Sequence, residues 1–190
     1  MRRYAIFSLF LILLAGCATN YSSPKFYVDR VTQMQLPEYR CIKPFNKLQL
    51  LDFSYADKSD HLIVQLSCSN DKLTLTGLLP IGARLFTISR SQNCITAESF
   101  TTLPNQLSAE QVLGDVLLSI AKTKEISAVL PPGYSVKKLG ETQRIIVNPK
   151  GDAIKIIIYS ADTEPLSIED RVFHYQLNIK NLRNLCTKGG

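Results

Sequence analysis

The chain has 190 residues, 45% of them hydrophobic and 20% charged, proportions that suit one folded domain of ordinary size and exclude a disordered tail. Nine Gly and nine Pro without a fixed period exclude collagen-like and solenoid architectures. The 22 Lys and Arg against 16 Asp and Glu give a formal charge of +6, scattered singly or in pairs, without the basic stripe and interleaved aromatics of a nucleic-acid binder.

Arg2 and Arg3 form a short positive start, and Tyr4 to Leu14 an apolar stretch of signal-peptide length. It is too short to cross a ~30 Å hydrocarbon core comfortably. Leu14-Ala15-Gly16-Cys17 resembles the bacterial lipobox, in which an aliphatic residue and two small ones precede a Cys. The resemblance implies cleavage after residue 16, a diacylglycerol on the Cys17 thiol and an acyl chain such as palmitate on the new amino group. Three chains exceed the two-signal threshold for stable membrane attachment, each buried methylene contributing roughly 0.8 kcal/mol. Ala18 stands where Asp would resemble the inner-membrane retention signal, so the expected location is the periplasmic face of the outer membrane. Loss of residues 1–16 removes two Arg and lowers the formal charge from +6 to +4.

Residues 17–25 read as a lipidated tether, polar with a Pro, and residues 26–187 as one domain. Leu62, Val64 and Leu66 alternate with Ile63, Gln65 and Ser67. Turn chemistry at Ser69-Asn70-Asp71-Lys72 and a second alternation over Leu73 to Thr76 then complete a β-hairpin signature. Arg84 to Arg90 sets Phe86 and Ile88 against Leu85 and Thr87, and Cys94 to Phe100 begins another strand. The period then changes. Val112, Leu113, Val116, Leu117 and Ile120 fall on one helical stripe, with Glu110, Gln111, Asp115 and Ser119 elsewhere on the wheel. Ser108 and Gln111 have capping-box spacing, Glu110 suits the N-terminal dipole, and Lys122 and Lys124 the opposite end.

Pro131-Pro132-Gly133 breaks the chain, and strands are expected over Tyr134 to Lys138, Arg144 to Asn148, Ala153 to Tyr159 and Val172 to Lys180. In the last, Phe173, Tyr175, Leu177 and Ile179 alternate with His174, Gln176, Asn178 and Lys180, so one face is buried and one wet. Meandering antiparallel strands interrupted by an amphipathic helix point to an α+β fold, with the helix covering one face of a curved sheet.

The inventory for chemistry is thin. His61 opens a strand and His174 lies in the polar set of the last one, and neither belongs to a zinc-binding spacing. Neither a nucleophile elbow nor a glycine-rich phosphate loop is present. Glu164, Glu169 and Asp170 read as solvated charge in a polar connection. No general acid or base, metal or cofactor is assigned, and no enzyme is expected. With Cys17 lipidated, Cys41, Cys68, Cys94 and Cys186 remain in an oxidising compartment, where three connectivities are open. Cys68 closes one strand and Cys94 opens another near adjacent turns, which favours Cys68 with Cys94 and Cys41 with Cys186; the other reading is reduced, packed thiols.

Between two strands lies Gly77-Leu78-Leu79-Pro80-Ile81-Gly82-Ala83, more apolar than a solvent-facing loop. Either it tucks into the domain's own core or it is a hydrophobic finger for lipid, acyl chain or membrane. Thr76 to Ile88, with Pro80-Ile81-Gly82, resembles the Pro-Leu-Gly loop and following strand of the outer-membrane lipoprotein receptor LolB. The order of lipobox, hairpins, apolar loop, strand pair, amphipathic helix, Pro-Gly break and closing strands is also similar. More closely, residues 45–180 resemble LolB-like bacterial lipoproteins often encoded beside aryl-polyene or fatty-acid-type biosynthesis genes. The resemblance implies an incomplete antiparallel barrel whose concave apolar cavity, lidded by helices, receives acyl chains, with Ile81 matching the protruding loop leucine of LolB.

The expected function is therefore a lipid-anchored, non-enzymatic carrier or acceptor of acyl chains, of a polyene lipid, or of a lipoprotein handed over by a carrier. Leu78, Leu79 and Ile81 would form the ligand or membrane loop, and Val112, Leu113, Val116, Leu117 and Ile120 the cavity-lining helix. The alternative is a structural or assembly lipoprotein that docks a protein partner without a ligand.

Overall fold

A computed structural model describes residues 24–92, 94–99, 108–161 and 163–184. Cys17, Cys186, the signal segment and most of the tether lie outside the described residues. The chain opens with β1 (Lys25–Tyr27) and β2 (Gln33–Gln35), paired as a short antiparallel ribbon. It continues through β3 (Phe45–Tyr55), β4 (Lys58–Ser69), β5 (Lys72–Leu78), β6 (Arg84–Ser91) and β7 (Cys94–Ser99). Two helices follow, α1 (Ala109–Ile120) and α2 (Thr123–Ser127). The remaining strands are β8 (Ser135–Leu139), β9 (Gln143–Val147), β10 (Ala153–Tyr159), β11 (Pro165–Asp170) and β12 (Tyr175–Asn184).

Strands β3 to β12 make one antiparallel sheet in the order β7-β6-β5-β4-β3-β12-β11-β10-β9-β8. It is unclosed, with β7 and β8 as its edges. The connection from one edge to the other must cross a face of the sheet, and the helices lie in that connection. The architecture is mostly antiparallel sheet with two short helices, so the expectation of an α+β fold is met only in part.

Local chemistry explains the hairpins. Asn70 and Asp71 both have positive φ, 49° and 59°, which suits a two-residue turn of the primed type between β4 and β5. Asn148 Oδ1 accepts from the backbone N–H of Lys150 and Asp152, both at 2.9 Å, closing the β9–β10 turn with Gly151 at φ 92°. The sheet differs from the sequence pattern at two places. His174 sits in the turn before β12 with φ 58°, not within a strand. Pro165–Asp170 is a strand, not a polar connection: Pro165 takes its first position, where a missing N–H is tolerated, and Ile168 is buried.

Helix α1 is amphipathic as expected, but its polar side is not turned to solvent. Ser108 Oγ accepts from the Gln111 N–H at 3.1 Å, but the Gln111 amide does not reach back to complete a box. Its Oε1 accepts from the Tyr27 N–H at 3.1 Å and its Nε2 donates to the Tyr27 carbonyl at 3.2 Å. The ribbon therefore docks on the helix through backbone bonds to one side chain, and Phe26 packs against Gly114. Between Gln111 and Ile120 no residue is exposed, because the polar side meets the ribbon and the sheet instead of solvent. The helix ends at Ala121, and Lys122 caps α2 instead of serving the end of α1. The core joins Phe26, Val28 and Met34 of the ribbon segment, Leu113, Leu117 and Leu118 of α1, and sheet residues such as Ile146, Ile157 and Ile168.

A candidate apolar binding cavity

Between the sheet and α1 lies a cavity of about 850 Å³. Strand alternation builds its wall. β3 contributes Phe45, Leu51 and Phe53, β4 contributes Leu62, Val64 and Leu66, and β5 and β6 contribute Leu75, Phe86 and Ile88. β12 contributes Leu177 and Ile179. From α1, Val112, Val116 and Ile120 complete it at i, i+4 and i+8. Leu113 and Leu117, expected on the same wall, are fully buried in the core and do not line it. The apolar stripe is wide enough to be shared between the cavity and the helix's packing against its neighbours.

The loop residues divide in a similar way. Leu78 is half-buried at the end of β5, Leu79 lines the cavity at 39% exposure, and Ile81 stands at the hairpin tip at 85% exposure. The tip is held by Leu79 N–H to the Ala83 carbonyl and Gly82 N–H to the Leu79 carbonyl, both 2.8 Å, with Gly82 at φ 82°. The loop does not tuck Ile81 into the domain's own core.

Polar groups are few inside and many at the rim. Exposed Asp60, His61, Lys122, Lys138 and Glu141 border the opening. Lys47 and Glu164 form an ion pair across it, Nζ donating to Oε1 at 2.6 Å, so Glu164 is partnered instead of simply solvated. His61 Nδ1 lies 2.6 Å from Asp52 Oδ1 on the exposed surface. Glu169 bonds Arg171 in solvent.

Asp170, read from the sequence as solvated, is buried, and so is the group it joins. Lys155 Nζ donates to Asp115 and, at 3.2 Å, to the Tyr175 hydroxyl, while Tyr175 donates to the other Asp115 oxygen. Asp170 Oδ2 lies 2.9 Å from Nζ as an ion pair without hydrogen-bond alignment. Its Oδ1 accepts from the N–H groups of Val172 and Phe173 at 2.9 and 2.8 Å, fixing the turn before β12. Asp115 and Tyr175 face the cavity. Burial pulls the Lys155 ammonium down, but the fields of Asp115, Tyr175 and Asp170 exceed that effect and hold it well above its ordinary value. No sequence signal separates Asp115 from a solvent-facing helix position; its partners, Lys155 and Tyr175, come from two different strands.

Arg144 of β9 also lies on the cavity wall at 6% exposure. Its Nη1 donates to the Leu118 carbonyl in the last turns of α1, where a cation also complements the helix dipole. The guanidinium lies over the Tyr159 ring, 5.4 Å from its centroid, and Tyr159 donates to the Ser119 carbonyl at 2.9 Å. Its Nε is buried with no hydrogen-bond partner, and among the described residues no carboxylate forms an ion pair with it. Burial lowers the Arg144 pKa, and the Tyr159 phenol opposes that.

The cysteines pair otherwise than expected. Cys41 is bonded to Cys68 with Cα atoms 5.8 Å apart, and Cys94 is an exposed free thiol. Cys68 points into the core at 1% exposure, where the segment before β3 folds back to meet it, while Cys94 lies in the edge strand β7. Cys186, the other expected partner of Cys41, lies outside the described residues.

The fold is thus an unclosed antiparallel sheet with two short helices and a largely apolar cavity between sheet and α1. The family model described as "Protein of unknown function (DUF3261)" matches residues 46–183, and the chain belongs to that family. The comparison with curated proteins gives no match. Among the described residues, no helix is long and apolar enough to cross a membrane.

Proposed function

We propose that this protein is a non-enzymatic carrier or acceptor of acyl chains, an incomplete, LolB-like barrel held at the outer membrane by lipid on Cys17. The observation that carries the reading is the cavity of about 850 Å³ between sheet and α1. That volume lies within the roughly 300–1,000 Å³ of small-molecule sites, and apolar walls with few polar groups are what such sites present. Affinity would come from apolar burial at about 25 cal/mol per Å².

The β5–β6 tip supports the same reading. Leu79 borders the cavity and Ile81 projects beyond it, so a guest entering beside this hairpin passes from a membrane-seeking side chain to the apolar wall. A docking role without a ligand would go with a filled core, which this sheet and helix do not enclose.

The test is uptake of a fluorescent fatty acid by the purified protein and its transfer to liposomes. Ile81→Glu is expected to slow transfer while leaving Tm unchanged, because Ile81 makes no core contact. Absence of uptake by the unmodified protein overturns the reading.

A further inference from the structure

Lys155 and Arg144 are both buried cations beside the same cavity, yet they are treated differently. Lys155 has two carboxylates and a phenol. Arg144 has one backbone carbonyl, an aromatic face and a buried Nε without a partner. Removing a guanidinium from water without a counter-charge is costly. Capping Leu118 uses one N–H of five, and a neutral side chain could make that bond without the charge. A planar guanidinium edge at an apolar cavity matches the two oxygens of a carboxylate bidentately.

We propose that the guest is a single-chain amphiphile with a carboxylate head, a long-chain fatty acid, and that Arg144 binds the head while the tail lies along Val64, Leu75, Phe86, Ile88 and Val116. The guanidinium N–H groups not bonded to Leu118 supply the donors, and Tyr159 and Leu118 hold the guanidinium in place. This rests on the carrier reading above and names its ligand class. It also explains why a charge without a carboxylate partner is retained in a mostly apolar wall: the counter-ion arrives with the guest.

The experiment displaces a neutral probe, N-phenyl-1-naphthylamine, from the full-length protein with palmitate, 1-hexadecanol or hexadecyltrimethylammonium. Palmitate is expected to bind at least about tenfold tighter than the alcohol, as hydrogen bonds to charged groups imply, and the cation weakest. Arg144→Gln is expected to bring the ratio of palmitate to hexadecanol affinity close to one, and Arg144→Lys to keep part of the preference. Equal binding of palmitate and hexadecanol by the unmodified protein overturns the head-group assignment and leaves the carrier reading standing. Binding of none of the three, nor of the probe, overturns both. The comparison within the unmodified protein decides the matter even if the variants lose the Leu118 cap and melt early.

Discussion

Gly77 on β5 stands opposite Phe86 on β6, and the Phe86 ring occupies the space where a side chain at position 77 would begin. A Cβ there would meet three ring carbons at under 3.0 Å. Glycine weakens a strand interior, so its presence here marks a close approach, and the ring it admits forms part of the cavity wall. Gly77→Val should push the ring off the sheet at a cost of about 1–3 kcal/mol. Thermal melts should show a Tm lower by several degrees, with weaker binding of a neutral apolar probe. Adding Phe86→Ala to Gly77→Val should recover part of the Tm; a double variant less stable than either single one would contradict the steric account.

The buried charges make a second prediction. Lys155→Met leaves Asp115 and Asp170 facing each other's charge without a cation, and breaking a buried pair this way costs about 3–5 kcal/mol. Lys155→Met combined with Asp115→Leu removes the stranded carboxylate on α1 and should restore much of the loss, whereas Asp170 must stay because it holds the Val172 and Phe173 N–H groups. Denaturant titrations of the three proteins measure the difference, and a double variant no more stable than Lys155→Met would refute the pairing as the source.

Alkaline stability follows from the same groups. Burial raises Tyr175 well above its usual 10.0 and Tyr159 to about 12, while Lys155, despite its burial, is held well above 10.5 by its neighbours' charges. In all three the folded state favours the protonated form. Each contribution is therefore complete below the unfolded values near pH 10 and is lost as pH rises through the folded ones. The unfolding free energy should be insensitive to these groups at neutral pH and fall from about pH 10 to about pH 12. Tyr159→Phe should flatten part of that fall; an unchanged slope would remove Tyr159 from the linkage.

Alternation and turn chemistry made β4, β5, β6 and β10 readable, since their buried faces are mostly apolar and their turns carry Asn, Asp or Gly. Strand β3 escaped notice because Lys47 and Gln49 occupy inward positions, satisfied only by Glu164 and Asn181 from elsewhere in the chain. The apolar stripe of α1 revealed a helix and its cavity face, but not that Leu113 and Leu117 serve the core, since the ribbon that covers the helix is two strands of three residues each. Asp115, Arg144, Lys155 and Asp170 carry no motif. Their meeting depends on register across β9 to β12 and on where α1 crosses the sheet, a long-range relationship that no local pattern encodes.

The Cys41–Cys68 bond spans 27 residues and ties the segment before β3 to the buried side of β4. That segment is also held by Arg90, whose Nη1 donates to the Pro37 carbonyl at 2.6 Å, and it carries Tyr39 to the cavity wall. A loop of that length should contribute roughly 3–4 kcal/mol through the unfolded chain. Reduction, or Cys41→Ser with Cys68→Ser, should lower Tm comparably, and the double variant should no longer respond to reductant. Because Tyr39 would lose its tether, the reduced protein should also release a bound apolar probe faster. A reduced protein that melts earlier but releases the probe at the original rate would assign the bond to stability alone and leave Arg90 as the clamp on this end of the cavity.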